Sequence, residues 1–361
     1  MRESLIDRLC CPVDLSPLRL DISKQDVDGH IIAGQLQCMA CQQAYPIKEG
    51  VPDLLPAESA QINGKDLERL QVATVDRFGF EWLYFHDWGW LTEYPNIPNA
   101  EEKFRSALVE HTRRDFWGKS LFREDDLHPR LLILDAGCGN GRFTDQAART
   151  GAEVIGIDLG WGVYSAFEHT RSLPHVHIVR GDLFRLPFAD DTFDRIFAIG
   201  VLQHTGNAEA AFDAIVRTLC PDGLIAVRVY GQGRRTYEVF DALIRAVTTC
   251  LPINMQIGFA RITAATARWL CGSEKRRWRF YRRLISHVNL LPTEHEMYDW
   301  WSAPIATHHT LDEVQGWFVK NQLKIVRTKP PLNDVAAERI RRYTHGPISV
   351  LGQRSLFIDL E

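Results

Sequence analysis

Asp135-Ala136-Gly137-Cys138-Gly139-Asn140-Gly141 places three alternating glycines behind a carboxylate, directly after the apolar run Leu131-Leu132-Ile133-Leu134. An apolar run of that length bounded by glycines reads as a short buried strand. A strand that ends in Asp and breaks into glycines lays bare backbone against a ligand, because a Cβ would collide with whatever lies across the turn. The spacing G-x-G-x-G behind an acid differs from the G-x-G-x-x-G of dinucleotide folds. Two more apolar runs end in acid: Ala152-Glu153-Val154-Ile155-Gly156-Ile157-Asp158 and Val176-His177-Ile178-Val179-Arg180-Gly181-Asp182. Asp158 stands at the distance from the glycines that suits a bidentate grip on two ribose hydroxyls. Phe193 to Thr205 supplies a fourth strand and a loop carrying Gly200 and His204. Leu219-Cys220-Pro221-Asp222-Gly223-Leu224 reads as a turn leading into a fifth strand, Ile225 to Tyr230.

In this order the motifs resemble class I S-adenosylmethionine (SAM)-dependent methyltransferases over residues 131–230. The resemblance implies an α/β fold: a Rossmann-like, seven-stranded class I methyltransferase sheet with its last strand antiparallel. It also implies the cofactor SAM and a distribution of roles. Asp135, Gly137, Gly139 and Gly141 would hold the methionine end, Asp158 the ribose, and Asp182 with Leu183 the adenine. Cys138, Leu159 and Gly200 complete the expected cofactor-binding set.

The elements around that core must position the acceptor. A chain of 361 residues exceeds one ordinary domain. We divide it into residues 1–58, a zinc-ribbon-like domain; 59–130, an aromatic-rich helical cap; 131–230, the SAM-binding core; 231–306, a helical insertion; and 307–361, the rest of the core. With 45% hydrophobic and 24% charged residues and a net charge of −4, it has the composition of a soluble protein without a global footprint for nucleic acid. The first residues lack an apolar signal core, and no run approaches the ~20 apolar residues of a membrane span. Eight cysteines in so long a chain suit cytosolic thiols and a cytoplasmic setting better than a disulfide scaffold.

Cys10-Cys11-Pro12-Val13-Asp14 and Cys38-Met39-Ala40-Cys41 form two knuckles separated by a hairpin, the plan of a zinc ribbon. The second knuckle is an intact C-x-x-C. In the first, Asp14 stands where a cysteine is usual, so the expected zinc ligands are Cys11, Cys38 and Cys41 with Asp14 or the neighbouring Cys10 as the fourth; a metal-free ribbon of the same shape is the alternative. With the tail Tyr45-Pro46-Ile47-Lys48-Glu49-Gly50-Val51-Pro52, this unit resembles the small ribbon of methyltransferase-activating subunits, which implies a docking or stabilising role.

Arg77-Phe78-Gly79-Phe80-Glu81-Trp82-Leu83-Tyr84-Phe85-His86-Asp87-Trp88-Gly89-Trp90 carries too many rings to face solvent, so it should pack a helical cap on the core, with Trp82 or Tyr84 roofing the pocket. Residues 100–117 continue the cap as an amphipathic helix. After the fifth strand, residues 231–306 interrupt the expected order. Thr310 and Glu313 then have capping-box spacing, and the runs 323–328 and 348–354 supply the last two strands. In the insertion, Lys275-Arg276-Arg277-Trp278-Arg279-Phe280-Tyr281-Arg282-Arg283 is a solvated helix face, a peripheral membrane contact, or a grip on a phosphate-bearing acceptor. Tyr298, His308 and His204 are the candidate catalytic residues: His204 ends the fourth strand, where open α/β sheets bind ligands, and the other two flank the acceptor from the insertion.

Because the SAM sulfonium is already electrophilic, such a protein mainly aligns donor and acceptor, with a histidine as base for a hydroxyl or amine. The expected function is methyl transfer to a small-molecule or carrier-linked acceptor such as a glycan, a lipid or a secondary metabolite. An RNA methyltransferase and a non-catalytic SAM-binding or partner-activating protein are the alternatives, with nucleic acid the lesser expectation as partner.

Overall fold

The computed structural model describes residues 1–56, 66–90, 112–232, 235–271, 293–329 and 347–355. Four short strands come first, β1 (Leu18–Gln25), β2 (Ile31–Cys38), β3 (Ala44–Lys48) and β4 (Val51–Pro52), paired antiparallel in chain order. The second sheet holds β5 (Leu132–Ala136), β6 (Glu153–Asp158), β7 (Val176–Arg180), β8 (Phe193–Ile199), β9 (Leu219–Val229), β10 (Leu323–Lys329) and β11 (Ile348–Arg354). Its order is β10-β11-β9-β8-β5-β6-β7, with β11 antiparallel to both neighbours and the pairs from β7 to β9 parallel. This is the Rossmann-like class I sheet expected from the motifs. The order reverses beside β5, so its carboxyl end opens the crevice where such sheets bind ligands.

The helices are α1 (Asp66–Tyr84), α2 (Arg142–Ala148), α3 (Gly162–Thr170), α4 (Ala208–Val216), α5 (Arg235–Thr248), α6 (Ile253–Cys271), α7 (Glu294–Ser302) and α8 (Leu311–Lys320). Residues 112–120 are also helical, which carries the expected cap helix past Trp117; its first part lies outside the described residues. The Thr310–Glu313 capping box forms as expected and starts α8. A second box, Thr293 with Glu296, starts α7. The basic run 275–283 lies outside the described residues. Among them, no helix is long and apolar enough to cross a membrane.

One expected boundary is corrected. Residues 219–224 are not a turn ahead of the fifth strand, because β9 already begins at Leu219. Its register against β8 jumps from Phe193↔Leu219 to Arg195↔Leu224, so Cys220 to Gly223 form a bulge inside the strand. Asp222 takes a positive φ of 60° there, a conformation that Asp tolerates better than most residues.

The amino-terminal sheet is not a loose appendage. Leu5, Leu9, Ile31, Leu36, Tyr45 and Leu54 belong to the same buried cluster as Leu134, Ile155 and Val179 of the large sheet. Asp53 bridges in parallel to Arg180 at the end of β7, where the two side chains pair at 2.8 Å. Arg180 also lies 3.7 Å over the Trp161 ring, a close cation–π contact. The ribbon therefore braces the β7 edge, next to Asp182.

Candidate functional site

The glycine loop has the geometry its spacing demands. Gly137, Gly139 and Gly141 have φ of 89°, 54° and 81°, all in the region where a side chain is strained. A Cβ on Gly137 would overlap the Val201 side chain; one on Gly139 would lie 3.0 Å from the Trp82 ring, and one on Gly141 3.0 Å from the Ala166 Cβ. Bare backbone is thus enclosed by the β8 loop, the cap and α3.

The strand-end acids differ in what they hold. Asp158 Oδ2 accepts the Gly139 N–H at 2.9 Å and Oδ1 the Gly160 N–H at 2.7 Å, so this carboxylate ties the glycine loop to the loop after β6. Burial raises its pKa against the pull of those two N–H groups. Asp182 sits at the end of β7 and caps the next turn by accepting the Phe184 N–H at 2.9 Å; burial raises its pKa as well. Leu183 beside it is buried, while Phe184, whose N–H it binds, exposes 39% of its surface. Asp135 is turned inward: only 2% exposed, it accepts the Thr144 hydroxyl at 2.6 Å, and burial pushes its pKa up to about 7. Cys138 is buried with its thiol pKa raised, and Leu159 lends its carbonyl to Arg180 at 3.2 Å. Gly200, with φ of 76°, turns the chain out of β8.

Helix α1 crosses these strand ends as a lid. Gln71 donates to the Thr205 carbonyl at 2.8 Å, the Thr74 hydroxyl accepts the Ile305 N–H at 3.1 Å, Phe78 meets the His204 ring at 4.7 Å, and Trp82 covers Gly139. Asn140 ties the far end down by donating to the carbonyls of Trp88 and His86 at 2.8 and 3.2 Å. Trp82 is thus brought to the glycine loop. Tyr84 instead lies at the surface, 44% exposed, and accepts from Arg261 at 2.7 Å.

Of the catalytic candidates, His204 is the one whose state the fold defines. Its Nδ1 lies 2.6 Å from the Ile305 carbonyl, which fixes the proton on Nδ1 and leaves Nε2 as an acceptor without a partner among the described residues. Burial lowers its pKa to about 3, so the ring is neutral. His308 lies across Tyr230 from it, with ring centroids at 5.8 Å and 5.4 Å from the tyrosine, and its pKa is lowered by burial. Tyr298, 1% exposed, is packed with Met297, Trp301 and Ile257 inside the cap's own core. Sequence reading missed three polar groups here. Glu81 and His295 are both buried, with Nε2 2.8 Å from Oε1 but no aligned hydrogen bond between them. Asp299, on the same helix as His295, has its pKa raised by burial against the charges of Arg142, Arg245 and Lys119. The signal for Glu81 was a charge inside an aromatic run, and Asp299 stood in the Tyr298-Asp299-Trp300-Trp301 segment whose polar and aromatic groups bunch ahead of α8; nothing local marked His295.

In the ribbon, ligand atoms of Cys11, Asp14, Cys38 and Cys41 all lie within 4.8 Å of one another. Burial would raise the Cys38 thiol, but N–H groups of Ala40 and Cys41 outweigh it and lower its pKa, while at Cys41 the pull of the Gln43 N–H is outweighed by burial and the neighbouring thiols, and the pKa is pushed up to about 12. Cys10 stays outside this group, with its backbone bound to Pro187 and its thiol pushed up to about 11 by burial. The donor set, three sulfurs and one carboxylate, suits tetrahedral zinc.

Comparison with known proteins agrees with this architecture. Residues 134–227 match the family described as methyltransferase domain, and residues 2–50 match the family described as Trm112p-like protein. A sterol methyltransferase-like protein of Botryococcus braunii is 33% identical over 186 residues, 48% of this chain and 46% of that protein. A demethylmenaquinone methyltransferase of Corynebacterium kroppenstedtii is 33% identical over 111 residues, 31% of this chain and 47% of that one. This chain thus spans less than half the length of these relatives. A solved complex between the Haloferax volcanii Trm112 methyltransferase activator and a methyltransferase overlays with a TM-score of 0.41 at 15% identity, covering 68% of this chain and 93% of that one. The chain thus matches a methyltransferase domain over residues 134–227 behind a Trm112p-like match over residues 2–50.

Proposed function

We propose that this chain is a SAM-dependent methyltransferase acting on a small-molecule acceptor, either free or carried on a larger group. The observation that carries the reading is the row of strand ends: Asp158 and Asp182 on successive strands beside a glycine loop that admits no Cβ. In it, Gly137 and Gly139 flank the methionine end, Asp158 accepts from the ribose hydroxyls through the lone pairs its N–H contacts leave free, and Asp182 and Leu183 meet the adenine. SAM brings an electrophilic methyl group, so the protein's task is alignment and removal of one proton. The α1 lid excludes water above the loop. His204, neutral with Nε2 open, accepts a hydrogen bond from an acceptor hydroxyl or amine; at a pKa near 3 it orients that group better than it deprotonates it. Asp299, whose carboxylate has no hydrogen bond among the described residues, is better suited to take the proton. The relatives are named for sterols and demethylmenaquinone, which supports a small-molecule acceptor. In the ribbon, Cys11, Asp14, Cys38 and Cys41 would hold one structural zinc ion. The free thiols among the described cysteines fit a cytoplasmic setting.

The test is calorimetric titration of SAM into the parent and Asp158→Ala. Removing a charged acceptor from the ribose should weaken binding by about 1.5–3 kcal/mol. Equal affinity in the two proteins would refute the assignment.

A further inference from the structure

The cap buries one cluster that the strand ends do not use. Glu81 is 0% exposed, and neither carboxylate oxygen has an aligned hydrogen bond among the described residues. The 2.8 Å approach of His295 Nε2 lies off the line of a hydrogen bond, so both imidazole nitrogens are unpaired too. Trp88 stacks on the His295 ring at 4.2 Å, with Trp82 and Phe85 each at 5.3 Å. An unpaired buried carboxyl is expensive, and native structures keep few of them without a use.

Three observations say what the cluster faces. The Trp82 ring joins the two sites: it lies 5.3 Å from the His295 ring and covers Gly139. Arg142, the residue after the last glycine, lies between the rings of Phe143 and Trp82, 4.6 and 5.7 Å from their centroids. Its guanidinium has no hydrogen bond among the described residues, and its charge reaches both Glu81 and His295. The acid that the glycine motif itself offers, Asp135, is turned away and committed to Thr144. One unpaired acid and one unpaired cation thus stand by the glycine loop, on the side where the loop's own acid is missing.

We propose that Glu81 and Arg142 clamp the amino-acid end of SAM, with the α-ammonium donating to Glu81 and the α-carboxylate accepting from Arg142. This rests on the strand-end reading and adds to it a zwitterion site built partly by the cap. The charged and titratable groups facing Glu81 are His295, Tyr298 and Asp299 of α7, Tyr230 just after β9, and Arg142 at the head of α2. Burial first, and the Asp299 charge second, push the Glu81 carboxyl well above the usual carboxylate range, against the pull of Arg142. An arriving ammonium reverses that balance: the carboxyl ionises, the ammonium pairs with it, and one proton leaves to solvent.

The experiment is titration calorimetry at pH 6.5, where an α-amino group of pKa about 8 is still charged, in two buffers of different ionisation enthalpy. The probes are SAM and 5′-methylthioadenosine, which lacks the amino-acid end. SAM should release about one proton on binding the parent, and 5′-methylthioadenosine none. Glu81→Gln should abolish the release and weaken SAM about ten- to a hundredfold, while 5′-methylthioadenosine binds as before. SAM binding to the parent without proton release, or with unchanged affinity in Glu81→Gln, overturns the clamp and leaves the strand-end reading standing. A parent that binds neither probe overturns the SAM reading itself. If Glu81→Gln does not fold, the proton counts of the two probes on the parent decide.

Discussion

Asp135→Asn separates the two roles a motif carboxylate can have. Asp135 is 2% exposed and held by the Thr144 hydroxyl, and its pKa is pushed up from 3.8 to about 7 by burial, with the Asp158 charge adding to it. A carboxyl whose folded pKa lies above its unfolded value gives stability that is complete below the unfolded pKa and is lost as pH rises through the folded one. Between about pH 4 and pH 7 the unfolded chain ionises this group while the folded chain does not. The full penalty at alkaline pH is on the order of 4 kcal/mol, at 1.36 kcal/mol per pKa unit. Asparagine has no charge to bury and can still accept from Thr144. Its advantage over aspartate should therefore grow by about 2–3 kcal/mol between pH 5 and pH 8. Urea unfolding of both proteins at the two pH values measures this as a difference of differences, in which all other titrating groups cancel. A constant difference would mean that Asp135 is already charged in the fold. Asp135 would then be an ionised acid beside the loop, and Glu81 would not be needed there.

Two further outcomes follow from the same geometry. Gly137→Ala puts a methyl group into the Val201 side chain and a side chain at φ of 89°, and should cost roughly 2–5 kcal/mol from overpacking and backbone strain together; a denaturation midpoint equal to the parent's would show that the loop relaxes freely. Cys38→Ser should drop the metal content of protein purified without chelator from about one zinc to well under half an equivalent, whereas a parent already free of zinc would mark the ribbon as metal-free.

Much of the core was readable along the chain because its signals are local. An apolar run that ends in Asp is a buried strand with a carboxylate at its tip, wherever the rest of the chain goes. This is why β5, β6 and β7, their acids and the Thr310–Glu313 cap appear where the sequence placed them. The bulge at Cys220 to Gly223 was misread because a Pro-Asp-Gly run signals a turn, while pairing with β8 on both sides of it keeps those residues inside a strand.

What each acid does was not readable, because that depends on residues far away in the chain. Asp135, Asp158 and Asp182 look alike in sequence. The fold gives the first to Thr144, the second to two backbone N–H groups and the third to its own turn. His204 is kept neutral by burial and presents Nε2 as the acceptor only because the Ile305 carbonyl, 101 residues on, holds the Nδ1 proton, and Glu81 acquired its meaning only when α7 brought His295 to it. The sequence by itself determined which strands form and which chemical groups end them, since propensity and periodicity act over a few residues. Tertiary structure alone decided which of those groups keep their charge and which face a ligand, because desolvation and hydrogen bonding are set by whatever the fold packs beside them.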